Sequence, residues 1–360
     1  MSNTEKNLSV FGNIIANDEI ADFLLLALNH IARSRCPLWW VHPRMGEVTR
    51  GTAPIPYQVW APCPRAYPRA GAKSPPKGAT MDVLSRVDAA WQDYRSDPAA
   101  LEQTLLSLRD EVALSFGTAS PEFVTLCNEL GSFYRSRGNY QSGEASFRAA
   151  LAGIEALAGR SDAYATCLDN LAELYRLDGR LDECAAALAE ASTLFSSRHS
   201  LEYAACLNYQ GHLCMAQHDP AGALARYQAA LGIVRENGSP AFELSTAYAN
   251  VASALMDEGE LAEAARYLDA ACDLYRDGSL RRGPHFTSLL NSLATLRDHM
   301  GDVATASSSY GEVLDILESG LPVNPNDART ALDNAASFFS RISDGQGAAR
   351  VEALRRSLRQ

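Results

Sequence analysis

The sequence lacks any hydrophobic run long enough to cross a membrane. The six apolar residues Phe23–Leu28 form a run as long as any in the 360 residues, whereas a membrane-spanning helix needs about 18 or more. The run follows the acidic residues Asp18, Glu19 and Asp22, so it does not resemble a secretory signal either. The sequence therefore predicts a cytoplasmic protein with no membrane partner.

The sequence also lacks the short motifs of nucleotide-binding and hydrolytic enzymes. It contains no G-x-x-x-x-G-K-[ST], no H-E-x-x-H and no G-x-S-x-G. Its eight cysteines include no C-x-x-C pair, and in the absence of a secretory signal we interpret them as small buried hydrophobic residues, not as disulfides. These absences predict a protein that is not an enzyme and binds no cofactor.

Positive charge is scarce over most of the chain. Residues 1–80 hold nine Lys and Arg against five Asp and Glu, whereas residues 81–360 hold 23 against 38. Because nucleic-acid binding depends on neutralising phosphates, this acidic region predicts no nucleic-acid partner. It favours a basic protein or peptide partner, although the acid could equally serve only to keep an alanine-rich chain in solution.

The first 80 residues differ in composition from the rest. Residues 17–34 show the periodicity of an amphipathic helix, and nine of the chain's 16 prolines fall between Pro37 and Pro76. This proline-rich arm also holds Cys36, His42 and Cys63, whose spacing matches no metal-site template, and we interpret them as loop residues. Its aromatic residues and net positive charge are consistent with docking of the arm in the groove of the acidic remainder of the chain; the alternative is an arm that packs only on the first hairpin as an N-terminal cap.

A helical hairpin repeats at least five times from about residue 120 to about residue 320. Glycine or alanine recurs in one column at intervals of 41, 39, 41 and 42 residues, and the turn column is mostly glycine. A repeat of this length indicates a solenoid in which stacked hairpins bury one another's apolar faces. The small-residue column is Gly131, Ala172, Gly211, Ala252 and Ala294, the turn column is Gly138, Gly179, His218, Gly259 and Gly301, and the large column of the second helix is Phe147, Leu188, Tyr227, Leu268 and Tyr310.

This pattern resembles the tetratricopeptide repeat, in a longer-repeat form similar to kinesin light chains and related bacterial proteins. The resemblance implies an all-α fold, a right-handed superhelical solenoid of antiparallel helix hairpins, acting as a protein-interaction scaffold. Within residues 81–360 we predict a degenerate first hairpin at 82–118, repeats from about 120 to 320, and a capping hairpin at 327–360.

The first helices carry the candidate binding residues. In solenoids of this kind the first helix of each hairpin lines the concave face, and each repeat offers an asparagine just before its small column. Asparagine amides both donate and accept hydrogen bonds, so a ladder of them can satisfy the backbone of an extended peptide; bonding within or between helices is the alternative. The ladder is Asn128, Asn170, Asn208, Asn250, Asn291 and Asn334, with Thr166 and Thr246 one turn earlier.

Two arginines occupy a further column of the first helices. Arg135 and Arg176 could bind a carboxylate or phosphate of a ligand, or they could pair with Glu129, Asp169 or Glu173. The sequence therefore predicts a scaffold that binds an extended peptide or protein segment in its concave groove. The alternatives are a peptide-responsive regulatory sensor that controls a partner protein, and an enzyme subunit with its chemistry in residues 1–80.

Overall fold

The computed structural model describes residues 98–280, 283–320, 323 and 325–357, together with residues 83, 86 and 87. The predictions for the N-terminal helix, the arm and most of the first helix of the degenerate hairpin lie outside the described residues. The boundary at residue 80 therefore stays a prediction.

Every regular element in the described ranges is an α-helix, so the predicted all-α repeat fold is confirmed. The helices are α1 (Pro98–Phe116), α2 (Pro121–Ser136), α3 (Tyr140–Ala158), α4 (Asp162–Leu177), α5 (Leu181–Leu194), α6 (Leu201–Ala216), α7 (Pro220–Glu236), α8 (Ala241–Asp257), α9 (Leu261–Arg276), α10 (Pro284–His299), α11 (Val303–Glu318), α12 (Pro325–Arg341) and α13 (Gly345–Ser357).

The chain divides into two compact units. The described part of the first unit ends at Asp178 and contains α1–α4, and the second unit begins at Gly179 and contains α5–α13. Within each unit every helix packs against the next one in the chain. In addition, first helices of successive hairpins contact each other: α2 contacts α4 in the first unit, and α6 contacts α8 and α10 contacts α12 in the second.

Side-chain caps fix several of the helix starts. The Ser120 hydroxyl accepts a hydrogen bond from the backbone N–H of Phe123, and the Ser200 hydroxyl accepts one from Tyr203. The Asp219 carboxylate accepts from the backbone N–H of Gly222 over 2.9 Å. Each cap satisfies an N–H that has no partner inside its own helix, so these polar residues set where the helices begin.

The turn between the two helices of a hairpin requires a left-handed residue. Gly138 has a φ of 69° and Gly259 a φ of 84°, a conformation that a side chain disfavours. His218 occupies the same column with a φ of 61°, although it is not glycine. The α6–α7 turn is therefore strained where its neighbours are not.

The small and large columns meet inside the hairpins. A Cβ on Gly131 would lie 2.6 Å from Cε1 of Phe147, and a Cβ on Gly211 would overlap the ring of Tyr227. Both aromatic side chains are almost completely buried. The absence of a side chain on the first helix thus creates the space that the aromatic ring of the second helix fills.

Arginines of the last helix pair with acidic residues of the two helices before it. Arg350 of α13 donates hydrogen bonds to Asp315 and Glu318 of α11, over 2.6 and 2.7 Å, and Arg355 pairs with Asp333 of α12. These ion pairs tie the last hairpin to the one before it and its two helices to each other; its capping role stays a prediction of the sequence. In the part of the chain that the structure describes, no helix is both long enough and apolar enough to span a membrane.

Candidate functional site

Two asparagines of the ladder bond to each other at the end of the second unit. The Asn334 side-chain amide donates to the Asn291 side-chain oxygen over 3.1 Å. These residues lie on α12 and α10, the first helices of successive hairpins, which contact each other. The side chains of two adjacent columns, one occupied by Asn291 and the other by Asn334, therefore meet across these two repeats.

In the first unit the ladder residues have protein partners or are deeply buried. The Asn128 side-chain oxygen accepts a hydrogen bond from the Cys167 thiol over 3.3 Å. The Thr166 hydroxyl donates to the backbone carbonyl of Asp162 over 3.0 Å, and Asn170 is only 3% exposed. In this unit Thr166 bonds within its own helix and Asn128 bonds to a neighbouring helix. Both bonds agree with the alternative interpretation, in which these side chains bond within or between helices.

The two arginines that we considered as ligand contacts are engaged or buried. Arg176 donates two hydrogen bonds to Glu173, over 2.8 and 2.9 Å, and this carboxylate is itself buried. Arg135 is 2% exposed. The ion pair between Arg176 and Glu173 is the alternative that the sequence offered, and it holds Arg176 in place on α4.

The candidate binding residues in the centre of the second unit differ in their hydrogen bonding from those at the ends of the ladder. Asn208 of α6, Thr246 of α8 and Asn250 of α8 are all buried. One polar atom of each is covered and has no hydrogen-bond partner among the described residues: Oδ1 of Asn208, Oγ1 of Thr246 and Nδ2 of Asn250. A buried polar atom without a partner costs about 1–3 kcal/mol, so three of them on the neighbouring helices α6 and α8 call for an explanation.

A buried polar cluster that the sequence did not indicate lies between α8, α9 and α10. The Tyr275 hydroxyl is 2.5 Å from Nδ1 of His285, and the rings of Phe242 and Phe286 pack around the pair. Burial lowers the pKa of His285 to about 4, so the imidazole is neutral at pH 7. No signal could have found this cluster, because Tyr275 and His285 lie outside the repeat columns.

The described cysteines are packing residues. Cys127, Cys167, Cys184, Cys206 and Cys272 are buried free thiols. Burial raises the pKa of Cys127 and of Cys272 to about 12, so both thiols stay protonated and unreactive at neutral pH. Among the described residues no group of three or more His, Cys, Asp and Glu side chains is placed to hold a metal ion.

Two stretches of the chain match models of tetratricopeptide repeats, at residues 122–197 and 245–277. The chain contains tetratricopeptide repeats. The matched stretches cover α2–α5 and α8–α9 almost completely, so the tetratricopeptide assignment and the observed hairpins agree. Among proteins with curated descriptions, none matches this tetratricopeptide repeat chain.

Solved structures similar to this tetratricopeptide repeat protein come from several classes. They include a putative kinesin light chain with nearly identical repeats from Podosopora anserina (17% identity, 55% of this chain and 95% of that one, TM-score 0.44). They also include the apo form of RapI (12%, 76% and 85%, 0.49) and a Rap protein complexed with competence and sporulation factor (17%, 77% and 98%, 0.45). Likenesses this distant say nothing about what this chain binds.

Proposed function

We propose that this tetratricopeptide repeat protein is an interaction scaffold whose second unit binds an extended peptide or protein segment along its first helices. The observation that carries the proposal is the ladder of side-chain amides in two adjacent columns of α6, α8, α10 and α12. The contact between Asn334 and Asn291 supports it, because it joins the ladder from one repeat to the next.

The spacing of the ladder suits an extended chain. Packed helices lie about 8–10 Å apart, and an extended backbone advances about 3.3 Å per residue. One ladder step therefore corresponds to about three ligand residues. Since every extended residue carries one N–H and one C=O, a peptide that crosses successive first helices can present an amide group at each step.

The atoms without partners favour the middle of the unit as the main contact. Asn208, Thr246 and Asn250 supply an acceptor, a hydroxyl and a donor that the described residues leave unsatisfied. These atoms are covered, so a segment reaches them when α6 and α8 separate slightly. A ligand that supplies the missing hydrogen bonds would stabilise this separated arrangement.

The link between ligand binding and the separation of α6 from α8 favours a second function, a peptide-responsive sensor that controls a partner protein. A ligand that binds better to the separated arrangement of α6 and α8 would shift the repeats towards it, and a partner could respond to the change.

Docking of residues 1–80 on the repeats, the cytoplasmic location and a basic partner all stay predictions of the sequence.

The experiment that tests the scaffold proposal is selection from a phage-displayed library of random 12-residue peptides on the full chain. Peptides from the selection are then titrated against the wild type and the Asn208→Ala/Asn250→Ala variant. We expect about tenfold weaker binding or more for the variant, because the ligand's amide groups lose their partners. The matched control is Gln228→Ala, which removes an exposed amide from α7.

Two results would count against the proposal. Selection could yield no peptide that the wild type binds in solution, or the double variant could bind a selected peptide as tightly as the Gln228→Ala control does. In the second case the asparagines would be structural, and the peptide would bind elsewhere.

A further inference from the structure

We infer that the segment bound by the second unit carries no charged side chain where it crosses α6, α8 and α10. The inference rests on the proposed function and adds the chemical class of the ligand. Two observations carry it: the absence of Asp, Glu, Lys and Arg within four residues of Asn208, Asn250 and Asn291 on their own helices, and the partnerless polar atoms on α6 and α8.

The central ladder positions lie in stretches of helix with no Asp, Glu, Lys or Arg. This holds from four residues before to four residues after each asparagine: residues 204–212 around Asn208, 246–254 around Asn250 and 287–295 around Asn291. Because one helical turn takes 3.6 residues, these stretches include every residue of the same helix that lies one turn away from the asparagine.

At each of the other ladder positions an acidic residue lies directly beside the asparagine. Glu129 directly follows Asn128, and Asp169 and Asp333 directly precede Asn170 and Asn334. The uncharged positions are thus consecutive repeats of the second unit. They include both asparagines that have a covered polar atom without a partner among the described residues.

Uncharged amides and hydroxyls select an uncharged ligand. Burying a charged side chain without an opposite charge or full hydrogen bonding is strongly unfavourable. A backbone amide or an uncharged polar side chain, in contrast, can be satisfied by Asn208, Thr246 and Asn250. The ligand is therefore an extended segment whose central residues are small, or polar without charge. The acidic character of residues 81–360 acts on a partner only outside this central stretch.

The test is a charge scan of a peptide obtained by the selection described above. Each residue is replaced in turn by Gln, Lys and Glu, and each product is titrated against the full chain. We expect a central block of positions where both Lys and Glu weaken binding by about tenfold or more while Gln does not. Because both signs of charge are unfavourable, attraction to the acidic surface cannot produce this result.

A complementary variant locates the block on the protein. Asn250→Asp introduces a carboxylate at the central position, so at least one peptide with a central Lys should recover several-fold in affinity relative to the parent peptide. Asn208→Asp serves the same purpose if the first variant does not fold, and Gln228→Glu on the exposed face of α7 is the control for added charge alone.

The outcomes separate this inference from the proposed function. If peptides bind but accept Lys or Glu at every position, or if neither Asp variant rescues a Lys peptide, the inference is wrong and the scaffold proposal stands. If no peptide binds, the proposed function itself fails.

Discussion

The side-chain amides of Asn334 and Asn291 are hydrogen-bonded to each other across 43 positions of sequence, while the equivalent residues Asn250 and Asn208 each have a covered atom without a partner. In each of the two adjacent asparagine columns, the same residue type therefore has two different roles in one unit. At the end of the columns the amides join two repeats, and in the middle they leave hydrogen-bonding capacity unused.

Replacing Thr246 by valine should stabilise the free protein. The Thr246 hydroxyl is buried without a partner, so removing it should raise the free energy of unfolding by about 1 kcal/mol. Thr166→Val is the matched control from the same column, and it should give no gain because that hydroxyl donates to the Asp162 carbonyl. Urea denaturation of both variants measures the difference, and equal effects would show that the Thr246 hydroxyl is satisfied.

Gly211→Leu should destabilise the chain by about 3 kcal/mol, because the new side chain must enter the space that the Tyr227 ring fills. Gly232→Leu on α7 is the control. No atom lies within 4 Å of a Cβ at that position, so leucine should instead stabilise the helix by roughly 0.5–1 kcal/mol. Thermal unfolding followed by circular dichroism compares them, and a similar loss in both variants would contradict the packing role of Gly211.

His218→Gly should stabilise the α6–α7 turn by about 1 kcal/mol, since glycine relieves the cost of a left-handed φ at this position. Gly259→Ala tests the same column in the opposite direction and should destabilise the α8–α9 turn by a similar amount. The free energies of unfolding of the two variants should thus change with opposite signs. A loss of stability in His218→Gly would mean that the imidazole makes a favourable contact outweighing the strain.

Acid should weaken the packing around His285. Burial lowers the pKa of this imidazole to about 4 in the folded chain, against 6.5 for an unperturbed histidine. Between these pH values the unfolded chain binds more protons, so stability is full above about pH 6.5 and falls as the pH drops towards 4, by on the order of 3 kcal/mol. Urea denaturation of wild type and His285→Phe at pH 7.5 and pH 5 should show a steeper loss in the wild type. Parallel loss in both proteins would exclude His285 as the cause.

The sequence predicted the hairpins because their columns have a direct steric meaning. Gly131 and Gly211 occupy the spaces beside Phe147 and Tyr227, and left-handed glycines end the first helices. The hydrogen bonding of the ladder could not be predicted in the same way. Thr166 and Thr246 share a column, yet only the first bonds to a backbone carbonyl, because that choice depends on the packing of neighbouring helices.

Two other features had no sequence signal. The boundary of the compact units at Asp178 and Gly179 falls inside a regular repeat, and nothing in the local sequence there interrupts the pattern. The contact of Tyr275 with His285 joins the end of one hairpin to the start of the next, outside the columns that define the repeat.

The most direct test of the central claim is to observe the side-chain amides of Asn208 and Asn250 by nuclear magnetic resonance during titration with a selected peptide. Assignments follow from the signal lost in each single Asn→Ala variant. Asn237 is the internal reference, because its side-chain amide already donates to the carbonyls of His199 and Ile233. If the peptide binds along the first helices, the Asn208 and Asn250 signals should shift as the peptide saturates, while the Asn237 signal stays in place. Unchanged Asn208 and Asn250 signals with a bound peptide would contradict the claim.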